Sequence, residues 1–99
     1  MTGIDIQNKI VVITGAAGRI GSEFARAVAG AGAIAIIADT SEENGRKIAD
    51  EISARRNESA HFEPLDITST ESVQRLISTL MRRYGRIDAL VNNAYPRNE

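Results

Sequence analysis

Three glycines at three-residue spacing, Gly15, Gly18 and Gly21, stand between the apolar run Ile10-Val11-Val12-Ile13 and a helical pattern that starts near Ile20. A run of β-branched residues four or five long reads as a parallel strand buried on both faces. A chain that leaves such a strand through glycines and enters a helix brings its backbone close to whatever lies above the strand end. It also presents free N–H groups and the positive end of the helix dipole there, which is what a phosphate group requires. This stretch, Thr14 to Gly21, therefore points to a nucleotide cofactor. Ser22 and Glu23 follow the last glycine, where an ATPase loop has Lys and then Ser or Thr, so a dinucleotide is favoured over ATP.

The remaining pattern repeats strand and helix. We number the predicted strands β1 to β4, with β1 spanning Lys9 to Ile13. Ile20, Phe24, Ala25, Val28 and Ala29 recur at helical spacing, and Gly30 to Gly32 supply a stop. Ala33 to Ala38 reads as a second buried strand, β2, closed by Asp39. Thr40-Ser41-Glu42-Glu43 has the form of a capping box, with Thr40 as the cap of a helix that runs to about Arg56 and buries Ile48, Ala49 and Ile52. Ala60 to Leu65 is a weaker strand, β3, whose Pro64 suits a sheet edge. Thr68-Ser69-Thr70-Glu71 repeats the capping pattern, and Val73, Leu76, Ile77, Leu80, Met81 and Tyr84 form an apolar stripe ended by Gly85. Ile87 to Val91 gives the last strand, β4, running into Asn92-Asn93-Ala94.

Alternation of this kind is an α/β pattern with right-handed crossovers in a parallel sheet. The expected strand order is 3-2-1-4, a Rossmann-type sheet in which the direction of winding reverses between β3 and β4. The first two helices belong on one face and the third on the other. Ninety-nine residues allow one domain. With 12 Lys plus Arg against 13 Asp plus Glu, no broad basic field invites nucleic acid or an anionic membrane. No apolar run approaches the roughly 20 residues of a bilayer span. Cysteine is absent and the amino terminus is polar, so the expectation is a cytoplasmic protein that works on small molecules.

Asp39 lies 24 residues after Gly15 and closes β2, near where an acidic residue hydrogen-bonds the adenosine ribose. Its carboxylate repels a 2′-phosphate, which favours NAD over NADP. Arg19 would offset that repulsion if its side chain reached the same corner. The plainer alternatives are a helix N-cap or a solvated strand end for Asp39, and no part in cofactor choice for Arg19. His61, the single histidine, has no neighbours at metal-ligand spacing and reads as a half-buried strand residue. Arg82, Arg83 and Arg86 cluster at a helix end, where they complement its dipole.

Four motifs in order carry a resemblance across nearly the whole chain: Thr14-Gly15-x-x-Gly18-x-Ile20-Gly21, Asp39, Leu65-Asp66-Ile67-Thr68, and Gly85-x-x-Asp88-x-Leu90-Val91-Asn92-Asn93-Ala94. With them the chain resembles the short-chain dehydrogenase/reductases. The resemblance implies that Gly15, Gly18, Ile20 and Gly21 hold the cofactor pyrophosphate through backbone groups, with Arg19 a further cofactor-binding residue of the same loop. It implies that Asp66 and Ile67 meet the adenine, and that Asn92, Asn93 and Ala94 line the adenosine ribose and secure the sheet. Arg19 stands where the commonest family motif has its second glycine, and Tyr95 where it has the glycine after Asn-Asn-Ala. Asn92 to Asn98 resembles the bacterial subgroup of flagellin-modification and surface-sugar oxidoreductases.

The family's catalytic Ser and Tyr-x-x-x-Lys follow these motifs and are not within the 99 residues; Tyr84 and Tyr95 have Asp88 and Glu99 at the lysine's spacing. The resemblance thus implies the amino-terminal, cofactor-binding part of an NAD(P)-dependent oxidoreductase whose intact form is a homo-oligomer acting on a small-molecule substrate. The alternatives are a dinucleotide-binding module without catalysis and an epimerase or dehydratase built on the same fold.

Overall fold

The computed structural model describes residues 5–93. Four parallel strands, β1 (Ile10–Thr14), β2 (Ile34–Asp39), β3 (Ala60–Pro64) and β4 (Ala89–Asn92), form one sheet in the order β3-β2-β1-β4, as the sequence predicts. Three helices connect them: α1 (Arg19–Gly30), α2 (Glu42–Arg55) and α3 (Thr70–Tyr84). β1 is central, with Ile13 opposite Ile37 of β2 on one side and Val91 of β4 on the other. Its five residues are all buried, which is why it reads as an unbroken apolar run.

Strand periodicity divides the core in two. Val11 and Ile13 of β1, Ala35 and Ile37 of β2, and Ala60 and Phe62 of β3 pack against Ala25, Val28 and Ala29 of α1 and Ala49 and Ile52 of α2. Ile10, Val12, Ile36 and Ala38 point to the other face and pack against Leu76 and Leu80 of α3. The helices are therefore distributed two to one across the sheet, as right-handed crossovers around a winding reversal require. Pro64 ends β3 at the sheet edge, where its missing N–H breaks no ladder. β4 pairs with β1 alone among the described residues, and Leu90 is 64% exposed.

Several expectations need correction. Ile20 is 73% and Phe24 47% exposed, so the buried stripe of α1 is the narrower set Gly21, Ser22, Ala25, Val28 and Ala29. Met81 and Ile77 are likewise 47% exposed, and the buried stripe of α3 rests on Leu76 and Leu80. Apolar periodicity identifies a helix but overestimates how much of its face reaches the core.

Both caps fall one residue later than the capping boxes suggest. Ser41, not Thr40, is the N-cap of α2, and its side chain makes no capping bond. Asp39 accepts from the Ser41 N–H instead, at 2.9 Å. Ser69, not Thr68, caps α3, its hydroxyl accepting from the Ser72 N–H at 3.1 Å, while Thr68 is drawn back onto Asp66. β1, β2 and β4 start at Ile10, Ile34 and Ala89, one or two residues after the predicted starts at Lys9, Ala33 and Ile87. The left-handed cap of α3 at Gly85 is as expected, with its N–H donating to Met81 O at 2.8 Å.

Candidate functional site

Parallel strands align their carboxyl ends on one edge, and the winding reversal leaves a crevice there between β1 and β4. The glycine turn rises from β1 into that crevice. Gly15 adopts φ 68°, a left-handed conformation that allows the sharp exit from the strand, and its N–H donates to Ala38 O of β2 at 2.8 Å. Gly21 is required for a different reason: a Cβ there would collide with Gly15 O and lie 2.7 Å from Ala16 Cα and 2.8 Å from Asn93 Nδ2. Gly18, the N-cap of α1, is under neither constraint, because its φ is −82° and a Cβ would stay 3.5 Å from the nearest atom.

α1 begins without a side-chain cap and without an acidic residue in its first turn. Its first intrahelical bond is Ser22 N–H to Gly18 O, at 2.9 Å. Among the described residues no acceptor meets the N–H groups of Arg19, Ile20 or Gly21, so three donors and the helix dipole face the crevice together. Arg19 and Ile20 are exposed beside them.

Asp39 stands at the end of β2 and accepts two backbone bonds, from Ala17 N–H at 3.1 Å and from Ser41 N–H at 2.9 Å. On the other flank, Thr14 is a residue whose role the sequence reading missed. Its buried hydroxyl donates to Asn92 Oδ1 at 3.0 Å and accepts from Asn93 N–H at 2.9 Å. Asn93 Nδ2 donates in turn to Gly15 O at 3.3 Å. A buried threonine at a strand end must find a partner, and that need was the available signal. The structure thus brings Gly15, Gly18, Arg19, Ile20, Gly21, Asp39, Asn92 and Asn93 to one edge.

Asp66 and Ile67 follow β3 at the same edge but make no described bond to the loop. Asp66 folds its carboxylate onto the Thr68 hydroxyl and N–H, at 2.6 and 2.9 Å, and these bonds hold its carboxyl below the usual range. Ile67 is half-buried against the α3-side core. Ala94 lies outside the described residues.

The alternative sites recede. His61 is half-buried on β3 and pairs with Glu63, and among the described residues no group of His, Cys, Asp and Glu could hold a metal ion. Among the described residues no helix is long and apolar enough to cross a membrane. An open groove of about 930 Å³ lies between the carboxyl ends of α1 and α2, but it shares no residue with the glycine turn. Three of its charges have structural duties: Arg56 donates to Ala29 O and Ala33 O at 3.2 and 2.6 Å, and Arg26 pairs with Glu51 at 3.3 Å.

Sheet order, glycine turn and strand-end carboxylate together define a Rossmann-type α/β chain. The chain belongs to the short-chain dehydrogenase family, whose model matches residues 9–95. It is 43% identical over 89 residues to the 7alpha-hydroxysteroid dehydrogenase of Bacteroides fragilis, covering 88% of this chain and 33% of that protein. It is 40% identical over 93 residues to the L-fucose dehydrogenase of Oryctolagus cuniculus, covering 94% and 31%. Among solved structures, a hydroxysteroid dehydrogenase from Escherichia coli superposes with a TM-score of 0.84 at 33% identity, over 92% of this chain and 38% of that one. The chain therefore spans about a third of the length of the relatives it matches.

Proposed function

We propose that this chain is the cofactor-binding part of an NAD(P)-dependent oxidoreductase that moves hydride between a nicotinamide and a hydroxyl or carbonyl carbon. The observation that carries the reading is the pairing of three unmet N–H donors at the start of α1 with the Asp39 carboxylate at the end of β2. Donors of that kind suit a pyrophosphate, and a carboxylate one strand away suits a ribose diol. In this reading the backbone of Arg19, Ile20 and Gly21 holds the pyrophosphate. Asp39 takes the adenosine ribose hydroxyls, Asp66 and Ile67 border the adenine, and Asn92, Asn93 and Ala94 line the floor beneath the ribose. Bound nicotinamide would supply the hydride acceptor or donor, and the chain's own contribution is to hold and orient it.

NAD is the favoured cofactor, because a 2′-phosphate next to Asp39 would set like charges together. A sugar or nucleotide sugar is the favoured substrate class, on the resemblance of Asn92 to Asn98 to surface-sugar oxidoreductases. An L-fucose dehydrogenase among the relatives is in keeping with that choice. The reading gives a cytoplasmic, homo-oligomeric parent protein in which residues 1–99 are the amino-terminal part of the Rossmann domain.

Titration of the full-length protein with NADH, followed by cofactor fluorescence, tests the reading. Saturable binding, tighter for NADH than for NADPH, together with NAD-dependent oxidation of a hydroxyl of a sugar or nucleotide sugar, is the expected result. Absence of binding to either nucleotide overturns it. Binding without any hydride turnover would favour the non-catalytic module, and redox-neutral conversion of a sugar nucleotide would favour the epimerase or dehydratase.

A further inference from the structure

The carboxylate of Asp39 accepts two hydrogen bonds from the chain's own backbone. Its Oδ1 accepts from Ser41 N–H, two residues on, which is a local turn. Its Oδ2 accepts from Ala17 N–H, 22 residues away in sequence and in the middle of the glycine turn. Only the second bond joins two elements. Ala17 lies between Gly15, anchored through its N–H to Ala38 O, and Gly18, where α1 begins. The one other described bond within this turn is Gly18 N–H to Gly15 O, at 3.2 Å. Without the carboxylate, no described hydrogen bond would tie the peptide between Ala16 and Ala17 to anything outside the turn, and only the packing of Ala16 in the core would hold it.

We propose that Asp39 is a positioning residue for the glycine turn: its carboxylate latches Ala17 and fixes the turn in its ligand-ready shape before a dinucleotide arrives. A carboxylate has about four lone-pair sites, so two remain for a ribose diol while the latch stays closed. The two roles then reinforce each other, since the ribose finds an acceptor already held by two N–H donors and the turn is already ordered when the pyrophosphate reaches it. The ligand half of this argument rests on the dinucleotide reading above. The latch itself does not.

Amide hydrogen exchange on the full-length protein without nucleotide tests it, with Ile37 in the buried middle of β2 as the internal reference. In Asp39→Ala, exchange at Ala17 should rise about tenfold or more, as expected for loss of a bond to a charged acceptor, while Ile37 keeps its protection. Wild-type protection of Ala17 in that variant overturns the latch. If Asp39→Ala also strips protection from Ile37, the isosteric Asp39→Asn is read instead. One of its two acceptor oxygens becomes an NH2 donor, so at least one of the Ala17 and Ser41 amides should exchange several-fold faster, and unchanged protection of both overturns the proposal. Failure of the wild-type protein to bind NADH would remove the dinucleotide reading and leave the exchange result standing.

Discussion

The backbone N–H of Asn93 donates to the hydroxyl of Thr14 at 2.9 Å, joining residues 79 apart in sequence at the carboxyl ends of two adjacent strands. The same hydroxyl donates to Asn92 Oδ1, so one buried oxygen fastens both asparagines to β1. Replacing Thr14 with Val keeps the shape and leaves the Asn93 N–H and the Asn92 carbonyl without this partner. We expect a loss of about 1–3 kcal/mol in unfolding free energy by urea titration, with Thr14→Ser retaining most of it. Equal losses in the two variants would mean that the methyl group, not the hydroxyl, matters.

Gly18 and Gly21 look alike in the sequence and differ in the fold. Gly21→Ala should cost about 1–3 kcal/mol, because the added methyl meets backbone atoms that cannot yield cheaply. Gly18→Ala should change stability by less than about 0.5 kcal/mol, since its methyl makes only ordinary contact. Denaturation midpoints of the two variants, measured side by side, check the contrast.

Asp39→Ala should weaken NADH binding by about tenfold or more, on the scale of a lost hydrogen bond to a charged acceptor. NADPH should lose less, because removing the carboxylate also relieves repulsion of the 2′-phosphate. Isothermal titration with both nucleotides measures the difference, and equal losses would remove the basis for preferring NAD.

Asp88 sits before β4 and accepts from Arg86 at 2.7 Å and from Ile10 N–H at 2.7 Å. The Arg86 hydrogen bonds first, and then the bond from Ile10, hold its carboxyl below its ordinary value of 3.8. A carboxyl that ionises more readily folded than unfolded stabilises the protein fully above its unfolded value. That contribution is lost as pH falls through the lower folded value. Asp88→Asn should therefore lower stability at neutral pH and flatten the acid limb of the stability profile below about pH 4, measured by denaturation from pH 2 to 7.

Leu90 projects from β4, a strand with one described neighbour. An exposed apolar edge invites pairing with another copy. The 99-residue chain expressed alone should associate at micromolar concentration, and Leu90→Lys should reduce that association in light scattering without shifting the unfolding midpoint.

Much of this was legible in the sequence, for reasons visible in particular residues. Strand order followed from the apolar runs and the glycine turn, because a strand buried on both faces tolerates few other compositions. The positions of Ile20, Phe24 and Met81 were misjudged, since their spacing matches the core face while their exposure depends on what packs beyond α1 and α3. The caps slipped by one residue because Asp39, ending β2, and Asp66, two residues past β3, compete with the expected caps for the turn into each helix: Asp39 accepts from the Ser41 N–H, and Asp66 from the Thr68 N–H and hydroxyl. Periodicity carries no information about such competition. Clustering of the glycines, Asp39 and the two asparagines at one edge was inferable from topology. The bonds between them were not, because each joins segments at least 22 residues apart.

The glycine turn is held from both sides: β2 reaches it through Ala38 O and the Asp39 carboxylate, and β4 reaches it through Asn93. It behaves less like a loop than like the keystone of an arch whose piers are two strands that do not touch each other. A load placed on it is shared by both piers. The separation of β2 and β4, set by the width of β1 and the residues packed beneath it, is thereby converted into the curvature of the turn, so a substitution deep in the sheet can alter what the turn grips without lying anywhere near it.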